Sequence, residues 1–154
     1  MNLSSPRTRH TPAGRAEPRA EHEPAARARG RSILYAEQAA PVADAVRETL
    51  EAAGWRVEVC ARGDEALWRL QAGGRFDLLI LDFALPGLDG VELARRARRL
   101  PRAAAVPIIM FTDFEVEPEA RRAGVDAYLR KPRGVYSLAK TAARLVARRS
   151  ATRE

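Results

Sequence analysis

Asp82 closes the apolar run Leu78–Leu81 and is followed by FALPGLDG, so a carboxylate stands at the tip of a buried-strand pattern, with a Pro and two Gly in the next eight residues. A carboxylate in that position is either capped and inert or exposed for chemistry. Other reactive types also stand at the ends of apolar runs. Glu37-Gln38 follows SILYA, Thr112-Asp113 follows VPIIMF, and Tyr128 precedes Lys131-Pro132. If the runs are parallel strands of one sheet, two carboxylates, a hydroxyl, a lysine and an amide converge on one edge. Asp82 is then expected to have company and to be open to solvent.

The periodicity supplies such a sheet. Ser32–Ala36, Arg56–Ala61, Leu78–Leu81, Val106–Phe111 and Ala127–Leu129 read as strands. Between and after them, Pro41–Ala53, Asp64–Ala72, Val91–Leu100, Glu115–Ala123 and Tyr136–Arg149 carry apolar residues at helical spacing. Pro41 suits a first helical turn, and Gly54 and Gly73-Gly74 suit helix stops. Apolar strands alternating with helices predict an α/β fold, a (βα)5 doubly wound parallel sheet of five strands with helices on both faces. Such sheets bind ligands at the carboxyl ends of their strands.

Composition narrows the function classes. The 154 residues are 46% hydrophobic and lack a run long enough to span a membrane. Residues 1–30 are rich in Arg, Pro and Ala and are expected to be a disordered tail, leaving a domain at 31–149 and a short tail at 150–154. His10 and His22 lie in the first tail, outside any expected rigid frame. Cys60 is the single cysteine, which excludes an internal disulfide, fits a reducing, cytoplasmic setting and reads as core. The net charge of +7 comes almost wholly from Arg, since Lys131 and Lys140 are the two lysines. No recognition motif or aromatic platform accompanies that charge, so nucleic acid is not the expected partner. Arg95, Arg96, Arg98 and Arg99 read as a solvated helix face.

LLILDFALPGLDG, PIIMFT and AYLRKP, in this order, resemble the response-regulator receiver domain of two-component signalling over roughly Ser32 to Arg148. The resemblance implies a flavodoxin-like strand order of 2-1-3-4-5. It implies that Asp82 accepts a phosphoryl group, that Thr112 hydrogen-bonds it and that Lys131 pairs with it. Glu37, Gln38, Asp82 and the backbone carbonyl of Ala84 would hold Mg²⁺, Tyr128 would be an aromatic switch, and the Lys131-Pro132 peptide would be cis. A carboxylate attacks phosphorus in line, and catalysis is positioning plus charge neutralisation, which explains the residue types. The implied partners are a histidine kinase or phosphotransfer protein and a downstream protein target, with a homodimer among the assemblies allowed. With no output domain after Arg149, output is expected through protein–protein contact.

Two positions depart from the family pattern. The second acid after the first strand is Gln38, which removes a negative charge and should weaken Mg²⁺ binding. The residue after Thr112 is Asp113, where a small residue is usual. Asp113 either repels the phosphoryl group or turns outward to cap the next helix. The fourth helix region, Thr112 to Gly124, is also short. A pseudo-receiver, an interaction module that is not phosphorylated, is therefore the alternative. A phosphatase with an aspartyl nucleophile would carry a second acid where Ala84 stands, which counts against an enzyme.

Overall fold

The computed structural model describes residues 30–154, so the expected tail at 1–30, save Gly30, and both histidines lie outside the described residues. Five strands alternate with five helices: β1 (Ser32–Ala36), α1 (Ala40–Ala52), β2 (Arg56–Cys60), α2 (Gly63–Gln71), β3 (Leu78–Leu81), α3 (Gly90–Arg99), β4 (Ile108–Thr112), α4 (Glu117–Arg122), β5 (Ala127–Arg130) and α5 (Val135–Thr152). Every pairing is parallel and the order is β2-β1-β3-β4-β5, as expected.

Strands β1, β3 and β4 are buried at every residue, which is why they read as unbroken apolar runs. Alternation then sorts their side chains to two faces. Ile33, Tyr35, Leu78, Ile80, Ile109 and Phe111 pack with Val46 and Leu50 of α1 and Leu138 and Leu145 of α5. Leu34, Leu79, Leu81, Ile108 and Met110 pack with α2, α3 and α4 through Leu67, Leu70, Leu93, Ala97 and Ala120. Each fully buried aliphatic side chain contributes about 1.5–3 kcal/mol. The double-sided core holds the strand tips in fixed register.

Helix α3 brings the Asp82 segment into line. Asp89 caps it, accepting the Glu92 N–H at 2.9 Å. The next residue has to be glycine, because a Cβ on Gly90 would lie 2.1 Å from the Asp82 carbonyl oxygen. Between them, the loop turns at Gly87 with φ +77°.

Four expectations are corrected. Helix α5 runs through Thr152, so residues 150–152 continue the helix where a tail was expected. The fourth strand starts at Ile108 and includes Thr112, because Pro107 has no N–H to give to a ladder. Asp113 does not cap α4: that helix has Val116 at its N-cap with no side-chain cap bond. Arg98 is not a solvated charge. Its guanidinium donates to Gly124 O at 2.7 Å, to Val106 O at 2.6 Å and to Asp126 at 2.8 Å, stapling α3 to the segments entering β4 and β5.

Candidate functional site

Four of the expected residues meet at the carboxyl edge of the sheet. Glu37 follows β1, Asp82 follows β3, Thr112 ends β4 and Lys131 follows β5. Since β1, β3, β4 and β5 are neighbours in the sheet, adjacent strand tips deliver these side chains side by side. Lys131 Nζ contacts Glu37 Oε2 and lies 3.3 Å from Asp82 Oδ2. The cation thus bridges two carboxylates that come from strands paired to each other.

Asp82 is buried, 4% exposed, against the expectation of an open side chain. Burial is tolerable because both oxygens have partners: Oδ1 accepts the Phe83 N–H at 2.8 Å and Oδ2 faces Lys131. Glu37 is buried more deeply, at 2%. Its Oε1 accepts the Ala39 N–H at 3.0 Å, and its Oε2 takes Lys131 and the Tyr35 hydroxyl at 3.4 Å.

Tyr35 has no part in the sequence-based site. It is wholly buried, and desolvation holds its phenol well above the usual range, with the charges of Glu37 and Asp82 acting in the same direction. It therefore stays a proton donor to Glu37. The available signal was its spacing: Tyr35 and Glu37 are two apart on a strand path, hence on one face, and Tyr35 interrupts an aliphatic run.

Gln38 and Ala84 are brought together, with Gln38 Nε2 donating to the Ala84 carbonyl at 2.9 Å. The oxygens of Glu37, Asp82 and the Ala84 carbonyl are hard donors of the kind Mg²⁺ takes, and the Gln38 amide oxygen would add a fourth. The set fits the ion in donor chemistry while supplying only two negative charges.

The β4–β5 pair carries the switch candidate. Thr112 is fully buried and its Oγ1 accepts the Phe114 N–H at 3.3 Å. Tyr128 donates its hydroxyl proton to the Phe114 carbonyl and accepts the Val116 N–H at 3.1 Å. Residue Phe114 therefore joins Thr112 to Tyr128 through one peptide unit on each side. Its ring also packs against Phe83 with centroids 5.3 Å apart, tilted at 55°. Asp113 is exposed, and the Lys131-Pro132 peptide is cis.

The model of the response regulator receiver domain family matches residues 33–143. The phosphate regulon transcriptional regulatory protein PhoB of Rhizobium meliloti is 48% identical over 90 residues, which cover 56% of this chain and 39% of that protein. The chain thus spans less than half the length of that curated relative. Among solved structures, a CheY-like response regulator receiver domain protein from Methanospirillum hungatei superposes with a TM-score of 0.73 at 26% identity, covering 79% of this chain and 98% of the other. The receiver domain of the sensor histidine kinase PA1611 from Pseudomonas aeruginosa, which has a magnesium ion in its active-site cleft, superposes with a TM-score of 0.70 at 29% identity, covering 77% of this chain and 98% of that one.

Proposed function

From the premise that the chain belongs to the response regulator receiver domain family, we propose that it accepts a phosphoryl group on Asp82 from a phosphohistidine of a histidine kinase or phosphotransfer protein and passes the signal on by protein–protein contact in the cytoplasm. The observation that carries this reading is the position of Lys131, paired with Glu37 and 3.3 Å from the carboxylate of Asp82.

In the transfer, an Asp82 carboxylate oxygen forms the new bond to phosphorus while the bond from phosphorus to the donor imidazole nitrogen breaks, and that nitrogen keeps the electron pair. The Phe83 N–H on Oδ1 fixes the carboxylate plane. Lys131 offsets charge on the incoming group, and its hold on Glu37 keeps it beside Asp82. Thr112 supplies a hydroxyl at the same edge, available once it releases the Phe114 N–H. Mg²⁺, bound by Glu37, Asp82, the Ala84 carbonyl and more weakly by Gln38, would neutralise phosphoryl oxygens.

One contact favours a second reading, a pseudo-receiver that binds partners without being phosphorylated. Gln38 Nε2 already donates to the Ala84 carbonyl that the ion would need.

The deciding experiment is intact mass after incubation with acetyl phosphate, with and without Mg²⁺, beside Asp82→Ala. A Mg²⁺-dependent gain of one phosphate, absent from the variant, is expected. No gain here and none from a panel of phosphorylated phosphotransfer proteins would leave the pseudo-receiver as the function.

A further inference from the structure

The opposite edge of the sheet, where the strands begin, holds a cavity of about 620 Å³. Its wall draws on distant parts of the chain: Arg56 at the start of β2, Arg75 and Asp77 before β3, Arg102 between α3 and β4, and Arg149 and Arg153 at the end of α5. Many other arginines of the described residues are matched by acids, including Arg47, Arg69, Arg96, Arg121 and Arg130. None of the five cavity arginines makes an ion pair among the described residues. Asp77, the single carboxylate among the described residues of the wall, commits one oxygen to the Ser32 N–H at 2.8 Å.

A second observation is independent of that count. Arg149 Nε is buried without a hydrogen-bond partner among the described residues. A buried donor left unmade is destabilising, so the fold keeps here a donor that an incoming acceptor would satisfy. Desolvation lowers the Arg149 pKa, and the nearby Arg153 adds to that, opposed by Asp77. An anion would relieve both effects. The dipole of α5 attracts cations to its last turn, but only weakly. It accounts for Arg149 and Arg153, and leaves Arg56, Arg75 and Arg102, which stand on a strand and two connections, without an ion-pair partner among the described residues.

We propose that this cavity is a binding site for a small anion carrying two or more linked phosphate groups, held by Arg56, Arg75, Arg102, Arg149 and Arg153. The guanidinium fork matches phosphate oxygens in pairs, and arginine is the favoured cation for such recognition. One phosphate is too small to engage donors spread around this volume, whereas a chain of two or three spans it. A concave basic recess concentrates field on a small ligand that can enter it. Duplex nucleic acid would meet only the cavity rim.

The test is isothermal titration of the full chain with sodium tripolyphosphate at about 0.15 M salt, where loose surface attraction is screened beyond about 8 Å. Saturable binding of one ligand per chain is expected, with orthophosphate weaker. Arg75→Gln with Arg149→Gln should weaken it by about tenfold or more, as two charge-assisted contacts are lost. Arg56→Gln with Arg153→Gln should do the same, and both sites are exposed, so this pair gives a reading even if the first fails to fold. Arg95→Gln with Arg96→Gln, on the α3 surface, should leave the affinity unchanged. The proposal is overturned by an absence of saturable heat, by equal loss in the α3 variant, or by a short DNA duplex that binds more tightly than tripolyphosphate through the same arginines, which would assign the edge to nucleic acid.

Discussion

Gln38 donates its side-chain N–H to the backbone carbonyl of Ala84 across 2.9 Å, tying the loop after β1 to the loop after β3. An amide proton and a divalent cation seek the same carbonyl lone pairs, so Gln38 competes for an oxygen without contributing charge. Gln38→Asp removes the competitor and restores a carboxylate. Its Mg²⁺ dissociation constant should fall by about tenfold, since ligand charge count sets affinity at such sites. Titration calorimetry on both proteins measures this, and equal affinities would remove Gln38 from any account of metal binding.

Lys131 is the sole cation among the described residues to pair with the two buried carboxylates, with its own side chain 14% exposed. Truncating one member of a buried ion cluster leaves uncompensated charge and costs about 3–5 kcal/mol. Lys131→Ala should therefore lower the urea midpoint sharply, and Lys131→Ala with Glu37→Gln should recover part of the loss. Equal stability of Lys131→Ala and the parent would show that solvent already satisfies Glu37 and Asp82.

Tyr128→Phe deletes one oxygen that serves two backbone groups of the β4–α4 connection, the Phe114 carbonyl and the Val116 N–H. Hydrogen exchange at Val116 should speed up while exchange in β1 and β3 stays as it was. The cost in global stability should be small, about 1 kcal/mol, because the loop is partly exposed and water can replace the hydroxyl.

Gly90→Ala would place a methyl 2.1 Å from the Asp82 carbonyl oxygen. Backbone faces it on the other side, so α3 or the Asp82 segment has to move, at about 1–3 kcal/mol. A lower melting temperature together with slower uptake of phosphate from acetyl phosphate is expected. A full-rate variant would mean that α3 yields and Asp82 does not.

Cys60 is buried, and its thiol is pushed up from an ordinary 9.0 to about 11, chiefly by desolvation. The folded pKa lies above the unfolded one, so the native state holds its proton longer. Its contribution to stability is intact below about pH 9 and is lost as pH rises towards about 11. Cys60→Ala should flatten the decline in melting temperature across that interval. At neutral pH a thiol reagent should label the chain only after denaturant is added.

The parallel sheet and the positions of Asp82, Thr112, Lys131 and Glu37 were legible because each rests on a pattern within a few residues: apolar runs, breakers, and a polar residue at a run's end; the strand order came from the family resemblance alone. What was not legible depends on three-dimensional closure. Burial of Asp82 is decided by how Phe83 and its loop fold back, which no local spacing encodes. Arg98 has the same flanking residues, Ala before and Arg after, as the exposed Arg95, yet carbonyls from two distant segments claim it. Tyr35 looked like core and is core, but its one polar atom meets Glu37. The end of α5 was missed because the arginines near it read as tail composition, while Leu145 and Val146 had already anchored the helix against the sheet.

The charges at the two ends of the strands give the molecule a polarity along its sheet. Glu37, Asp82, Asp89 and Asp113 outnumber Lys131 among them at the carboxyl ends, and five arginines outnumber Asp77 at the other. Five-residue strands such as β1 set these groups about 17 Å apart. Such a separation makes a permanent electric dipole, and in the field of a charged partner a dipole feels a torque before any surfaces touch. The molecule turns while still approaching, presenting its acidic end to a basic partner and its basic end to an acidic one. Orientation of the encounter is thus written into the length of the strands, and it fades as salt shortens the range of the field.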